Sequence, residues 1–101
     1  MLRTTQQRKT LCATCPVARV ADLLGDSCSL LIVRDLLIKP RRFGDLQESL
    51  AGISTRTLTN KLKFLEKEKL IIHGAKYNLT KKGAGLHDVL EAMRKYGKKY
   101  L

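Results

Sequence analysis

Acidic residues are scarce in this chain: nine Asp and Glu stand against twenty Lys and Arg, a formal charge of +11 over 101 residues. So large an excess opposes compaction and self-association until a polyanion or salt offsets it, which makes a nucleic acid the obvious partner. Residues 1–35 carry five basic and three acidic side chains, 36–70 eight and four, and 71–101 seven and two, so the surplus lies in the later two thirds. Aromatic residues are also few, five in all with no tryptophan, and the core must therefore be built from Leu, Ile and Val. No segment approaches the ~20 consecutive apolar residues of a membrane span, which leaves an anionic membrane surface as the one membrane role for the charge. The opening ten residues lack the apolar core of a secretory signal, so a cytoplasmic location is expected. Cysteines number three, Cys12, Cys15 and Cys28. An odd set is not a disulfide framework, and all three are read as thiols. There is no phosphate-cradling glycine loop, no pair of catalytic carboxylates and no nucleophile beside a base, so no enzyme and no cofactor are expected.

What is present fits one domain with one modest core. Residues 1–11 are polar and basic without periodicity and read as a flexible arm; residues 12–101 read as the domain. Pro16 suits the first turn of a helix carrying Val17, Val20, Ala21 and Leu24, which Gly25 can end. Asp26 and Ser27 are N-cap types ahead of an apolar run to Ile38, and Pro40 must break that helix. Phe43, Leu46 and Leu50 mark a helix of about two turns, and Ala51-Gly52 turns the chain.

The next helix, capped by Ser54 and expected to run to Lys69, has two faces. Leu58, Leu62 and Leu65 fall on one stripe, while Arg56, Thr59, Asn60, Lys63 and Lys67 gather opposite. Alone, this would be an ordinary solvated surface helix. Placed second after a short helix and a tight glycine turn, it is the reading helix of a helix-turn-helix, with side chains suited to base edges and phosphates. Two β-type runs, 70–73 and 76–79, follow around Gly74-Ala75; this predicts a two-residue hairpin with Gly74 at positive φ, a very short wing. Lys76 lies near its tip. Thr80 is the expected N-cap of a last helix of about 20 residues with Leu86, Val89, Leu90, Met93, Tyr96 and Tyr100 on one stripe. The fold class predicted is mainly α with a small β-hairpin, a winged helix-turn-helix, whose terminal helices form a dimer interface.

The order Cys15-Pro16, Asp22-Leu-Leu-Gly25, Leu30-Leu-Ile-Val-Arg34-Asp-Leu-Leu37, Arg42-Phe-Gly-Asp-Leu46, Gly52-Ile-Ser54, Arg56-Thr-Leu58, Leu62, Leu65 and Tyr77-Asn-Leu-Thr80 with Gly83 resembles the HxlR-type winged-helix transcriptional regulators. The resemblance implies a homodimer that sets one reading helix per subunit into successive major grooves of a pseudo-palindromic double-stranded operator. It places the start of the reading helix on Ser54, Thr55 and Arg56. With Arg42, Thr59, Asn60, Lys63 and Lys76, these are the expected DNA contacts. Val17, Leu86, Val89, Leu90, Met93, Tyr96 and Tyr100 are the expected dimer contacts. Cys15 matches a cysteine that in some members senses oxidants or electrophiles, and a thiol at a helix N-terminus has its thiolate stabilised. The chain departs from the family in having Cys28 where tryptophan is usual, Lys69 where glycine closes the reading helix, and a stub for a wing.

Two other readings compete. Cys12 and Cys15 form a CxxC that Cys28, His73 and His87 would have to complete as a metal site, but one such pair without a second is a weak zinc signal. A winged helix can also serve as a protein-interaction module, which salt-insensitive binding would reveal.

Overall fold

Four of the six helices among the described residues begin where a side-chain acceptor meets their free N–H groups. The computed structural model describes residues 15–101; the predicted arm over 1–11 and Cys12 lie outside the described residues. Cys15 caps α1 (Pro16–Leu23), its sulfur accepting the Ala18 N–H at 3.3 Å. Asp26 caps α2 (Ser27–Ile38), accepting from the N–H groups of Cys28 at 2.7 Å and Ser29 at 3.3 Å. Ahead of Pro40 the chain is extended at Lys39, as the proline ring requires. At the start of α3 (Phe43–Ser49) the Arg42 N–H donates to the Asp45 carboxylate at 3.0 Å. Gly52 then takes φ +89, a conformation costly for any residue with a Cβ, and so makes the sharp turn of the helix-turn-helix. Ser54 caps α4 (Thr55–Lys67) by accepting the Thr57 N–H at 3.0 Å.

The core is aliphatic, as the shortage of aromatics demands. Helix α2 supplies Ile32, Val33 and Leu36, α3 supplies Leu46, and α4 supplies Leu58, Leu62 and Leu65. Burying each such side chain contributes roughly 1.5–3 kcal/mol, so the leucine stripe alone fixes how α4 is rotated. Helix α2 is the central rod: α3, α4 and the hairpin all pack on it.

The hairpin pairs β1 (Ile71–His73) with β2 (Tyr77–Leu79) in antiparallel register. Arg41 bridges to the other edge of β2, exchanging bonds with Tyr77 at 3.1 and 2.7 Å. The turn differs from the two-residue form predicted. His73 pairs with Tyr77 and stacks on its ring at 3.9 Å, which leaves a three-residue link over 74–76. The Gly74 N–H closes it onto the Lys76 carbonyl, and Gly74 does not need a positive φ.

The positive φ falls instead on Lys69, at +62, so the reading helix stops at Lys67 rather than at Lys69. The turn into the wing is thus kept without the usual glycine, at a steric cost. Lys69→Gly is expected to stabilise the protein by up to about 1 kcal/mol, since the left-handed penalty it removes exceeds the entropy that glycine adds to the unfolded chain. A urea unfolding midpoint no higher than wild type would contradict this.

The last helix also differs from the single one predicted. Thr80 caps only a short α5 (Lys81–Ala84); the chain breaks at Gly85 and Leu86, and α6 (His87–Tyr100) follows. The break turns Leu86 into the core, where it is 8% exposed. Neither α1 nor α6 buries a residue fully. No helix among the described residues is long and apolar enough to cross a membrane.

Candidate nucleic-acid interface

With Leu58, Leu62 and Leu65 locked inward, α4 must turn Thr55, Arg56, Asn60, Lys63 and Lys67 outward, with Thr59 half-buried beside them. The predicted contacts then fall into two groups. Ser54 and Thr55 are engaged by the protein itself: Ser54 Oγ donates to Thr57 Oγ1 at 2.9 Å, and Thr55 Oγ1 accepts from Gln47 Nε2 at 2.9 Å. Among the described residues, the side chains of Arg56, Asn60, Lys63 and Lys76 take part in no ion pair. All four are exposed, as is Arg42 at the head of α3. They carry donors for phosphate and base edges, and Asn60 carries an acceptor as well.

Gln47 was not anticipated as part of this surface. It joins α3 to the first turn of α4, and a lone glutamine after Leu46 carries no sequence signal of that. Lys61 was also missed. It forms an ion pair with Asp26, the residue that caps α2, and so ties the reading helix to the central rod. Burial pushes the Asp26 carboxyl up, but the Lys61 ammonium and the Cys28 and Ser29 N–H groups outweigh it and hold it below its ordinary value of 3.8. A depressed carboxylate contributes stability above the unfolded value, lost as pH falls through the folded one. Acid unfolding below about pH 4 is therefore expected to be steeper in wild type than in Asp26→Asn. Superimposable acid limbs in the two proteins would dismiss this contribution.

The remaining predicted residues are scattered. Cys15 is exposed at the start of α1, and Cys28 is half-buried in the first turn of α2. Among the described residues no group of three His, Cys, Asp or Glu side chains is placed to hold a metal ion. Of the proposed dimer contacts, Val17, Val89, Met93, Tyr96 and Tyr100 are exposed. Leu90 is half-buried, and Leu86 belongs to the core of its own chain, so it has little left to offer a second one.

Comparison with known proteins bears on the fold and the family. The chain is 38% identical over 95 residues to the uncharacterized HTH-type transcriptional regulator sll1512 of Synechocystis, an alignment covering 86% of this chain and 70% of the relative. The crystal structure of PA1607 superimposes with a TM-score of 0.82 at 37% identity, over 94% of this chain and 70% of that one. Quinone-bound YodB of Bacillus subtilis superimposes with a TM-score of 0.77 at 30% identity, over 86% of this chain and all of that one. The profile of the HxlR-like helix-turn-helix family matches residues 23–101. The chain belongs to that family, a transcriptional regulator with a helix-turn-helix DNA-binding fold.

Proposed function

We propose that the protein is a cytoplasmic, homodimeric, sequence-specific reader of double-stranded DNA. The observation that carries the reading is the outer face of α4, where Arg56, Asn60 and Lys63 stand exposed on a helix whose inner face is fixed by three buried leucines. Arg56 reads a base or clamps a phosphate. Asn60 and Thr59 tune preference, Thr55 is held in place by Gln47, and Ser54 serves mainly to start the helix. Lys63, Arg42 and Lys76 hold the backbone. Two copies joined through the exposed stripe Val89, Met93, Tyr96 and Tyr100, with Val17 of α1, present two such helices to half-sites about 34–36 Å apart.

Arg56→Ala is expected to weaken specific binding by about 1–3 kcal/mol and to relax preference at one position, whereas Lys63→Ala weakens all sequences alike. Duplexes selected from a random pool are expected to share a two-fold-symmetric motif. Unchanged affinity in Arg56→Ala would remove that residue from the interface, and selection of no motif would favour a protein-interaction role.

The likeness to a quinone-bound relative supports a responsive role for Cys15, whose sulfur both caps α1 and faces solvent. Conjugate addition of its thiolate to a quinone forms an S–C bond as the ring C=C π bond opens; the electron pair moves to the ring oxygen, which takes up a proton to give the hydroquinone thioether, so no further oxidant is needed. It also burdens the atom that caps a helix with no buried residue to hold it. Quinone treatment is expected to alter operator affinity in wild type and to leave Cys15→Ser unaffected, since serine keeps a capping oxygen but has no thiol. An equal response in the two proteins would exclude Cys15.

A further inference from the structure

Helices α2 and α6 flank an open-sided groove of about 630 Å3. Its floor is aliphatic, formed by Leu30, Leu31, Leu37 and Ile38 of α2 with Leu90 and Met93 of α6. Arg34, His87, Glu91 and Arg94 stand in its wall, two guanidinium groups against one carboxylate. The volume and the lining, mostly apolar with a few convergent polar groups, are those of a small-molecule site.

Charge indicates the occupant. Arg34 is held from behind by Asp35: Nε and Nη2 lie 3.0 and 2.9 Å from Oδ1. That carboxylate is only 4% exposed while the Arg34 side chain is 46% exposed, so the guanidinium shows its open edge and hides its counter-ion. Arg94 bonds Glu91 at 2.8 Å and is 65% exposed. Two apolar alternatives from this chain would bring the wrong sign. Residues 1–14 carry Arg3, Arg8 and Lys9 with no acid, and α6 of a second copy carries Arg94, Lys95, Lys98 and Lys99 against Asp88 and Glu91. The proposed dimer stripe shares only Met93 with the groove. Val89, Tyr96 and Tyr100 sit about a third of a turn round α6 from Leu90, Glu91 and Arg94, with Met93 between.

We propose that this groove binds an amphiphilic carboxylate, its apolar body on the leucines and its carboxylate on Arg34 and Arg94. The site has a route to the DNA face. Arg34 Nη2 also lies 3.4 Å from Ser49 Oγ, at the last residue of α3 before the turn into the reading helix. A carboxylate that draws the guanidinium into the groove releases that contact and loosens the helix-turn-helix. This second step rests on the DNA-binding reading above; the binding step does not.

Decanoate and 1-decanol, which share an apolar body and differ in charge, test the site by calorimetry on the full chain without DNA. Decanoate is expected to saturate one site per chain at least tenfold more tightly than decanol. Arg94→Gln should lose most of that preference while Lys99→Gln, an equal charge change well round α6 from Arg94, keeps it. Arg34→Gln should behave like Arg94→Gln and also cancel the several-fold change in duplex affinity that decanoate causes in wild type. Equal binding of the two probes, unsaturable uptake of decanoate, or decanoate binding that disappears as the chain dimerises would each overturn the site. A protein that binds decanoate as described but no duplex would instead refute the DNA-binding reading alone.

Discussion

Raising salt from about 50 to about 200 mM is expected to weaken duplex binding by about a thousandfold. Three exposed cations per chain, Arg42, Lys63 and Lys76, are assigned to phosphates, which makes six contacts for the proposed dimer. Each phosphate neutralised releases counter-ions, so the logarithm of affinity should fall against the logarithm of salt with a slope of about −5. Lys63→Ala removes one contact per subunit and should make the slope shallower by about 2. Arg56→Ala, if its contact is to a base, should lower affinity at every salt concentration without changing the slope as much. Fluorescence anisotropy across a salt series separates the two. A slope near zero would refute electrostatic docking of this face, and a normal slope unchanged in Lys63→Ala would reassign the contact to other cations. The charge of +11 that would oppose self-association is then the same charge that the operator neutralises.

The helices were legible in the sequence because each depends on short-range chemistry. Asp26, Ser54 and Thr80 cap where capping types predict, and the Leu58, Leu62 and Leu65 stripe is buried as its period requires. What was not legible depends on contacts between distant segments. The Asp26–Lys61 pair joins residues 35 apart, and nothing near Lys61 distinguishes it from the exposed lysines around it. At the hairpin turn Gly74 signals a tight two-residue link locally, whereas the pairing and stacking of His73 with Tyr77 set a three-residue one. Lys69 shows the opposite failure. Its side chain argues against a left-handed turn, yet the packing of Leu70 and Ile71 behind it imposes one. In the last helix Leu86 fits the apolar stripe of α6 by its spacing, and only the core shows that it belongs to a different surface.

The same dependence on distant packing makes Gly83 the most sensitive glycine in the chain. Gly83→Ala is expected to destabilise the protein by at least about 3 kcal/mol, the upper range for a forced insertion into packed structure. A Cβ at this position would lie 2.1 Å from the Leu70 carbonyl oxygen and 3.0 Å from Leu79 Cδ2. The oxygen cannot retreat freely, because it accepts the Thr80 N–H at 3.0 Å and Leu70 itself is 1% exposed. Nor can α5 move away, since the Gly83 N–H is held by Thr80 Oγ1, which donates in turn to the Lys69 carbonyl at 2.6 Å. Glycine thus lets α5 close over the junction between the reading helix and the wing. Gly97→Ala provides the control: its Cβ meets nothing within 4 Å, and the change should stabilise α6 by about 0.5–1 kcal/mol. Thermal unfolding of the two variants should therefore move in opposite directions, and Gly83→Ala should lose duplex binding as the end of α4 is displaced. A Gly83→Ala protein that melts with wild type would show that the junction yields where its hydrogen bonds say that it should not.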